Sequence, residues 1–204
     1  MSMKETINRL RQDYFELKAA MCREQRQLAS DARCFLKELE YSLNEHERIE
    51  IESRIKDCDS AIDSLKRKEA CGRDFVDGVS YSFRQLKDMV GLRILAFPTS
   101  VMVAANEIVM KRFGDWQPDH KKHGAMQVYK YYGVLGVEKI PCEIQVVSML
   151  TGKFWDVEHS ALYKPAPGFK GAINANFEIR DLYKEVMNKL AEFETAFEIA
   201  IQKG

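Results

Sequence analysis

Two carboxylates, several cations and a serine stand at spacings suited to phosphate chemistry. Glu143 lies in the stretch 140–148, where Ile140, Cys142, Ile144 and Val146 alternate with Pro141, Glu143, Gln145 and Val147. That is the two-residue period of a strand, so one face is apolar and the other presents Glu143 and Gln145 side by side. A helical stretch follows, with Leu150, Phe154, Val157 and Leu162 near one stripe, and it stops at Lys164-Pro165. It carries Trp155, Glu158-His159 and Tyr163-Lys164. A strand carboxylate followed by a second on a helix makes a catalytic corner; an ordinary amphipathic strand and helix give the same pattern.

Further back, Asp88 and Arg93 bracket Gly91 at the mouth of an apolar strand, 92–97, closed by Pro98. A carboxylate there suits magnesium, which takes one or two carboxylates and leaves its other positions to water and phosphate. A turn aspartate fits the same place. Arg54, Lys56 and Ser60 put two cations at the end of an alternating strand, 49–56, and a hydroxyl in the first turn of the next helix. Helix N-termini favour phosphate, and neighbouring cations strengthen the preference. A solvated strand face with a capping serine is the plainer alternative. Lys121 and Lys122, between His120 and His123, would serve a phosphate-rich substrate if their loop overhangs such a site, and are otherwise a solvated cluster.

The elements that must position these groups follow from periodicity. Residues 3–45 carry apolar residues at three- and four-residue spacing: Ile7, Leu10, Tyr14, Leu17 and Met21, then Leu28, Ala32, Phe35, Leu39 and Leu43. The polar run 22–27 either separates two helices or is the wet face of one. Asp57 or Asp59 caps a helix reaching about Glu69. A helix from Ser100 to about Phe113, a polar loop over 113–123, and a strand over 126–132 follow. The strand turns at Gly133–Gly136 into the one bearing Glu143. A last helix, about 176–202, has Leu182, Val186, Leu190, Phe193, Phe197 and Ile201 as its stripe. The order predicts an α+β fold, a mixed sheet of about five strands flanked by helices. We divide it into an N-terminal helical segment, 1–48, a core, 49–164, and a C-terminal helix, 165–204.

Composition sets the outer limits. Lys+Arg and Asp+Glu are both 31, so the net charge is zero and the chain lacks the overall basic field of a general nucleic-acid binder. Cys22, Cys34, Cys58, Cys71 and Cys142 are odd in number, scattered and without a Cys-x-x-Cys pair. That pattern points to reduced thiols in a cytoplasmic protein rather than a disulfide frame or zinc site. No apolar run reaches the roughly 20 residues of a membrane span, so no membrane partner is expected.

Taken in order, these pieces resemble the synthetase domain of the RelA/SpoT family, pyrophosphokinases that make the alarmones ppGpp and pppGpp; no room remains for the hydrolase domain of the long enzymes. The match covers roughly 49–164. Arg54-Ile-Lys56 with Ser60 resembles the family's ATP-binding strand and helix start. Asp88-Met-Val-Gly91-Leu-Arg93 is similar to its D-x-x-G-x-R motif, and Glu143-Ile-Gln145 to its E-x-Q. Trp155 to Lys164 is similar to its W…EH…YK helix. The resemblance implies a nucleotidyltransferase-like fold, ATP as donor, and Mg2+ held by Asp88 and Glu143. It gives Glu143 as the base that takes the acceptor proton. It also implies ATP contacts from Arg54, Lys56, Ser60 and Arg93, and acceptor contacts from Lys121, Lys122, Tyr129, Gln145, Glu158 and His159. Terminal helices in this family also support homo-oligomers.

The departures cluster on the acceptor side. Where the family reads N-G-Y-x-S-x-H, this chain has Ala125 for the stacking tyrosine and Tyr129 for the histidine. Val147 replaces an arginine, and Gly152 falls where the family has a guanine-reading asparagine. On the donor side, Ser64 replaces a lysine, with Lys66 or Arg67 as substitutes. A lost stacking partner costs about 1–3 kcal/mol per base. Three functions follow as expectations: a pyrophosphokinase acting on a guanine or other purine nucleotide, a toxin pyrophosphorylating the tRNA 3′ end, and an inactive nucleotide- or protein-binding homologue.

Overall fold

The computed structural model describes residues 3–70, 82–123, 126–158 and 177–203. Its six strands are β1 (Arg48–Ile55), β2 (Val90–Phe97), β3 (Gln117–Pro118), β4 (Lys121–His123), β5 (Met126–Leu135) and β6 (Ile140–Ser148). They form one mixed sheet in the order β1-β2-β6-β5-β3, with β4 also paired to β5. β2 and β6 run parallel at its centre, and β1 and β5 flank them antiparallel. The alternation over 140–148 does mark a strand, but neither face is wet: all nine residues of β6 are buried. A strand with neighbours on both edges, a helical core on one face and long side chains from the flanking strands across the other has little exposed surface.

Among the described residues five α-helices surround the sheet: α1 (Met3–Ser42), α2 (Cys58–Ala70), α3 (Thr99–Arg112), α4 (Met149–Glu158) and α5 (Phe177–Lys203). One face of the sheet presents Val90, Leu92, Ile94, Cys142, Ile144, Val146 and Tyr131 to a core completed by α1, α2 and α3. α1 is a single helix of 40 residues, and the polar run 22–27 does not break it. Leu10, Tyr14, Met21, Leu28, Ala32 and Leu36 form its buried stripe. Asp57 caps α2, its Oδ1 accepting from the Ser60 N–H at 2.8 Å. Tyr131 donates to Asn106 Oδ1 at 2.7 Å and so fastens α3 beneath the sheet.

Three sequence expectations are corrected. The stretch 113–123 is not all loop, because β3 and β4 pair with β5 along the sheet edge. The β5–β6 turn lies at Gly136–Lys139, both ends at positive φ (67° and 55°). Gly133 is a strand residue, and its lack of a side chain serves packing: a Cβ there would stand 2.3 Å from two atoms of the Trp116 indole. The docked stripe of α5 is also displaced by about one position. Met187 and Glu194 are buried, whereas Leu182, Val186, Phe193 and Ile201 face outward. The face that docks must meet both an apolar patch on the sheet and the start of α3, which the most apolar stripe does not match.

Candidate active site

The other face of the sheet is a grid, and strand register fixes it. One row runs Arg54, Gly91, Glu143, Tyr132 across β1, β2, β6 and β5. Two residues along, the next row is Glu52, Arg93, Gln145, Lys130. The third is Glu50, Leu95, Val147, Val128, whose apolar members pack against Met187 of α5 and Met149, Phe154, Trp155 and Tyr183. Arg54, Gly91 and Glu143 of the first row and Glu52, Arg93 and Gln145 of the second, roofed by Asp156 of α4, line a cleft of about 200 Å³. The third is closed by α5.

Gly91 is the low point of the first row. A Cβ there would press on Arg54 at 3.3 Å from Cγ and 3.4 Å from Nε, so the glycine lets the arginine stem lie flat across β2. Asp88 sits just before β2, where Lys56 Nζ reaches its Oδ2 at 2.6 Å and Arg54 Nη2 stands 4.0 Å away. Lys56 is itself tied at the backbone. Its N–H donates to Met89 O at 2.9 Å, and its carbonyl accepts from the Tyr14 hydroxyl at 2.9 Å. Arg54, Lys56, Asp88 and Glu143 therefore share one end of the sheet.

Glu143 is held on both oxygens. Lys130 Nζ lies 3.2 Å from Oε1, and the Gln145 amide donates to Oε2 at 2.7 Å. Gln145 accepts from Arg93 Nε at 3.2 Å, and Arg93 reaches Asp156 at 2.6 Å. Burial raises the Tyr132 phenol above its ordinary value; the Glu143 charge and a hydrogen bond with Glu143 raise it further, and the charges of Asp119 and Asp88 add to the effect. The Trp155 ring carries Arg93 and Lys130, each 5.6 Å from its centroid. Cys142, behind Glu143, is no nucleophile, because burial raises its thiol far above the usual range.

The remaining candidates divide. Ser60 is in the first turn of α2, beyond Lys56. Tyr129 is turned away: it belongs to the opposite face and packs on His120 with ring centroids 5.3 Å apart. Lys130 and Tyr132 occupy the cleft face of β5 in its place. Lys121 and Lys122 lie in β4, paired with Val128 and Gln127 at the sheet edge. Glu158 ends α4, and His159, Tyr163, Lys164 and Ala125 lie outside the described residues. Gly152 faces the sheet, where a Cβ would stand 2.5 Å from Leu95. An asparagine there would collide with the apolar third row. Ser64 donates to Ser60 O at 2.8 Å and accepts from Arg67 at 3.1 Å, while Lys66 pairs with Asp63 at 3.5 Å. Glu52, Asp156 and Lys130 were not found from sequence. The parity of β5 against β6 would have given Lys130, had the turn been placed at 136–139.

The donor chemistry suits a hard divalent cation. Among the described residues there is no cluster of three or more acids, histidines or cysteines. Two carboxylates at one end of the sheet match magnesium's habit of taking few protein ligands, and a metal there would have to displace the lysine ammonium that each acid now holds. Among the described residues no helix is long and apolar enough to cross a membrane.

No protein-family model matches the chain, and no curated protein matches it by sequence. Solved structures do. Small alarmone synthetase 1 from Bacillus subtilis superposes with a TM-score of 0.70 at 16% identity, over 95% of this chain and 100% of that one. Its structure bound to its product pppGpp gives 0.69 at 17% identity, over 94% and 99%. Its structure bound to AMPCPP gives 0.68 at 17% identity, over 95% and 100%. A GTP pyrophosphokinase family protein from Streptococcus pneumoniae gives 0.65 at 18% identity, over 94% and 95%. With its mixed sheet, its helices and its near-complete superposition, this chain has the fold of the small alarmone synthetases.

Proposed function

We propose that the protein is an ATP-dependent pyrophosphokinase that moves the β,γ-pyrophosphate of ATP to the 3′-hydroxyl of a guanine or other purine nucleotide. The observation that carries this reading is the first row of the grid, which sets Glu143 beside Arg54 at the end of the sheet where Lys56 holds Asp88. That fold neighbours hold AMPCPP and pppGpp supports nucleotides as partners.

In this reading Arg54 and Lys56, with Ser60 and Arg93, receive the ATP phosphates. Asp88 and Glu143 hold Mg2+, which supplies charge neutralisation on the transferring phosphates. Glu143 takes the proton of the acceptor hydroxyl as that oxygen attacks the β-phosphorus. The β-phosphorus to α,β-bridging oxygen bond breaks, and AMP leaves. A base must lie within about 3 Å of that proton, and Gln145 and Arg93 fix the Glu143 carboxylate for it. Positioning and electrostatics carry such transfers more than covalent help does. Lys121, Lys122, Glu158 and His159 belong to the acceptor side. The outward apolar stripe of α5 is the surface on which a second copy would pack.

A second reading, transfer to the 3′ end of tRNA, is favoured by the loss of guanine-side contacts. Tyr129 points away from the cleft, Val147 is packed beneath α4 and α5, and Gly152 is a residue of α4 pressed against Leu95 and Val147. The test is incubation with Mg2+, γ-labelled ATP and either GDP, GTP or tRNA. Label on the nucleotide supports the first reading, and label on tRNA the second. Asp88→Asn and Glu143→Gln are each expected to lower AMP formation at least about 100-fold with the fold retained. Absence of AMP with every acceptor, or full activity in either variant, refutes the assignment.

A further inference from the structure

Each acid of the site is neutralised by a lysine, but the two lysines are not alike. Lys56 is anchored at its backbone through Tyr14 and Met89, and its ammonium has Asp88 as its carboxylate. Lys130 has two neighbours instead. Its ammonium lies 3.2 Å from Glu143 Oε1 and 5.6 Å from the centroid of the Trp155 ring, with its side chain 13% exposed. The ring, which also carries Arg93 at 5.6 Å, and the carboxylate hold the ammonium at the same time, so loss of the carboxylate does not return it to bulk water.

The two oxygens of Glu143 differ as well. Oε2 is held by the Gln145 amide, which is fixed in turn by Arg93. Oε1 is the oxygen under Lys130. A divalent cation and an ammonium repel each other and compete for the same oxygen.

We propose that Lys130 is a displaceable counter-ion. It occupies Glu143 Oε1 in the metal-free protein and yields that oxygen to a divalent cation while keeping its place over the Trp155 ring. The proposal rests on the reading of Glu143 as a metal ligand. It makes Lys130 a positioning residue that tunes metal affinity, and Trp155 the group that lowers the cost of the exchange.

The experiment is titration of the full chain with Mn2+ in the presence of saturating AMPCPP, following free Mn2+ by its electron paramagnetic resonance. Lys130→Met and Lys130→Gln are expected to bind Mn2+ about three- to tenfold more tightly, through loss of one competing, partly buried ion pair. Lys130→Arg should stay near the wild type. Trp155→Leu should bind Mn2+ more weakly, because the displaced ammonium loses the ring that holds it. Near-UV circular dichroism identifies variants with native packing. Unchanged or weaker Mn2+ binding in well-folded Lys130→Met and Lys130→Gln overturns the proposal, since a purely structural lysine predicts that result. Failure of the underlying reading looks different: Glu143→Gln would then bind Mn2+ as tightly as the wild type.

Discussion

Tyr14→Phe tests whether the N-terminal helix takes part in the site. Tyr14 is 3% exposed, and its hydroxyl donates to the Lys56 carbonyl at 2.9 Å. The ring packs edge-on against Phe83, centroids 5.9 Å apart, and phenylalanine keeps that contact and its apolar burial. What is lost is one hydrogen bond, together with the acceptor for Lys18 Nζ at 3.3 Å. A net hydrogen bond is worth about 1 kcal/mol, and a carbonyl left short of its partner adds about as much again. The expected loss is therefore about 1–2 kcal/mol. In a domain of this size each kcal/mol moves Tm by roughly 2–4 °C, so thermal unfolding should fall by about 2–8 °C. The kinetic effect follows from where the bond ends. Lys56 carries Asp88, so a looser Lys56 backbone should raise KM for ATP·Mg2+ about three- to tenfold and change kcat less. Calorimetry and initial rates measure both. An unchanged Tm would refute the hydrogen bond as an energetic tie. A lowered Tm with an unchanged KM would refute the link from α1 to the phosphate site.

Two further predictions concern packing and charge. Gly133→Ala places a methyl 2.3 Å from Trp116 Cδ2 and Cε2 and should cost about 1–3 kcal/mol by overpacking. Combining it with Trp116→Ala should recover part of that cost as a coupling energy in chemical denaturation, and strict additivity would show that the two do not meet. Burial raises the Glu194 carboxyl above its ordinary value, although hydrogen bonds with Ser148 and Thr99 oppose the shift. A carboxyl whose folded pKa is raised favours the fold fully below its unfolded value of about 4.3, and that stability is lost as pH rises through the folded value. Glu194→Gln should therefore flatten this fall of Tm with rising pH, and identical pH profiles for the two proteins would contradict the burial argument.

The limits of sequence legibility are physical. Alternation located β1 and β6 because a two-residue period is a local property. It could not say that β6 is central, because coverage of its polar face depends on α4 and α5. Tyr129 became a candidate by alignment to a motif, yet the side on which it and its neighbour Lys130 point depends on the hairpin turn. Gly133 looked like that turn, whereas it is a strand glycine opposed by an indole. Val147 and Gly152 read as missing polar contacts. In the fold Val147 belongs to the apolar ground under α5 and Gly152 lets α4 come down on Leu95, and only that packing reveals it. The placing of Asp88, Arg54 and Lys56 at strand ends was legible because an acid, a glycine and cations there leave a spacing that survives without three-dimensional information.

The parallel pairing of β2 and β6 has a consequence for how the protein comes to exist. The β5–β6 hairpin closes on itself through near neighbours in the chain, and so does α1 as a helix. β2 and β6 meet only after the whole connection through α3 and the hairpin has been brought round, and parallel pairing of that kind bears a loop-closure cost before any contact repays it. Asp88 and Glu143 lie on either side of that closure. The candidate site is thus a property of the finished sheet, absent from any contiguous fragment that stops short of β6. A nucleotide bridging Arg54 and Glu143 would act as a clasp across that long-range seam, shifting the global unfolding equilibrium of the chain by mass action instead of merely ordering a loop.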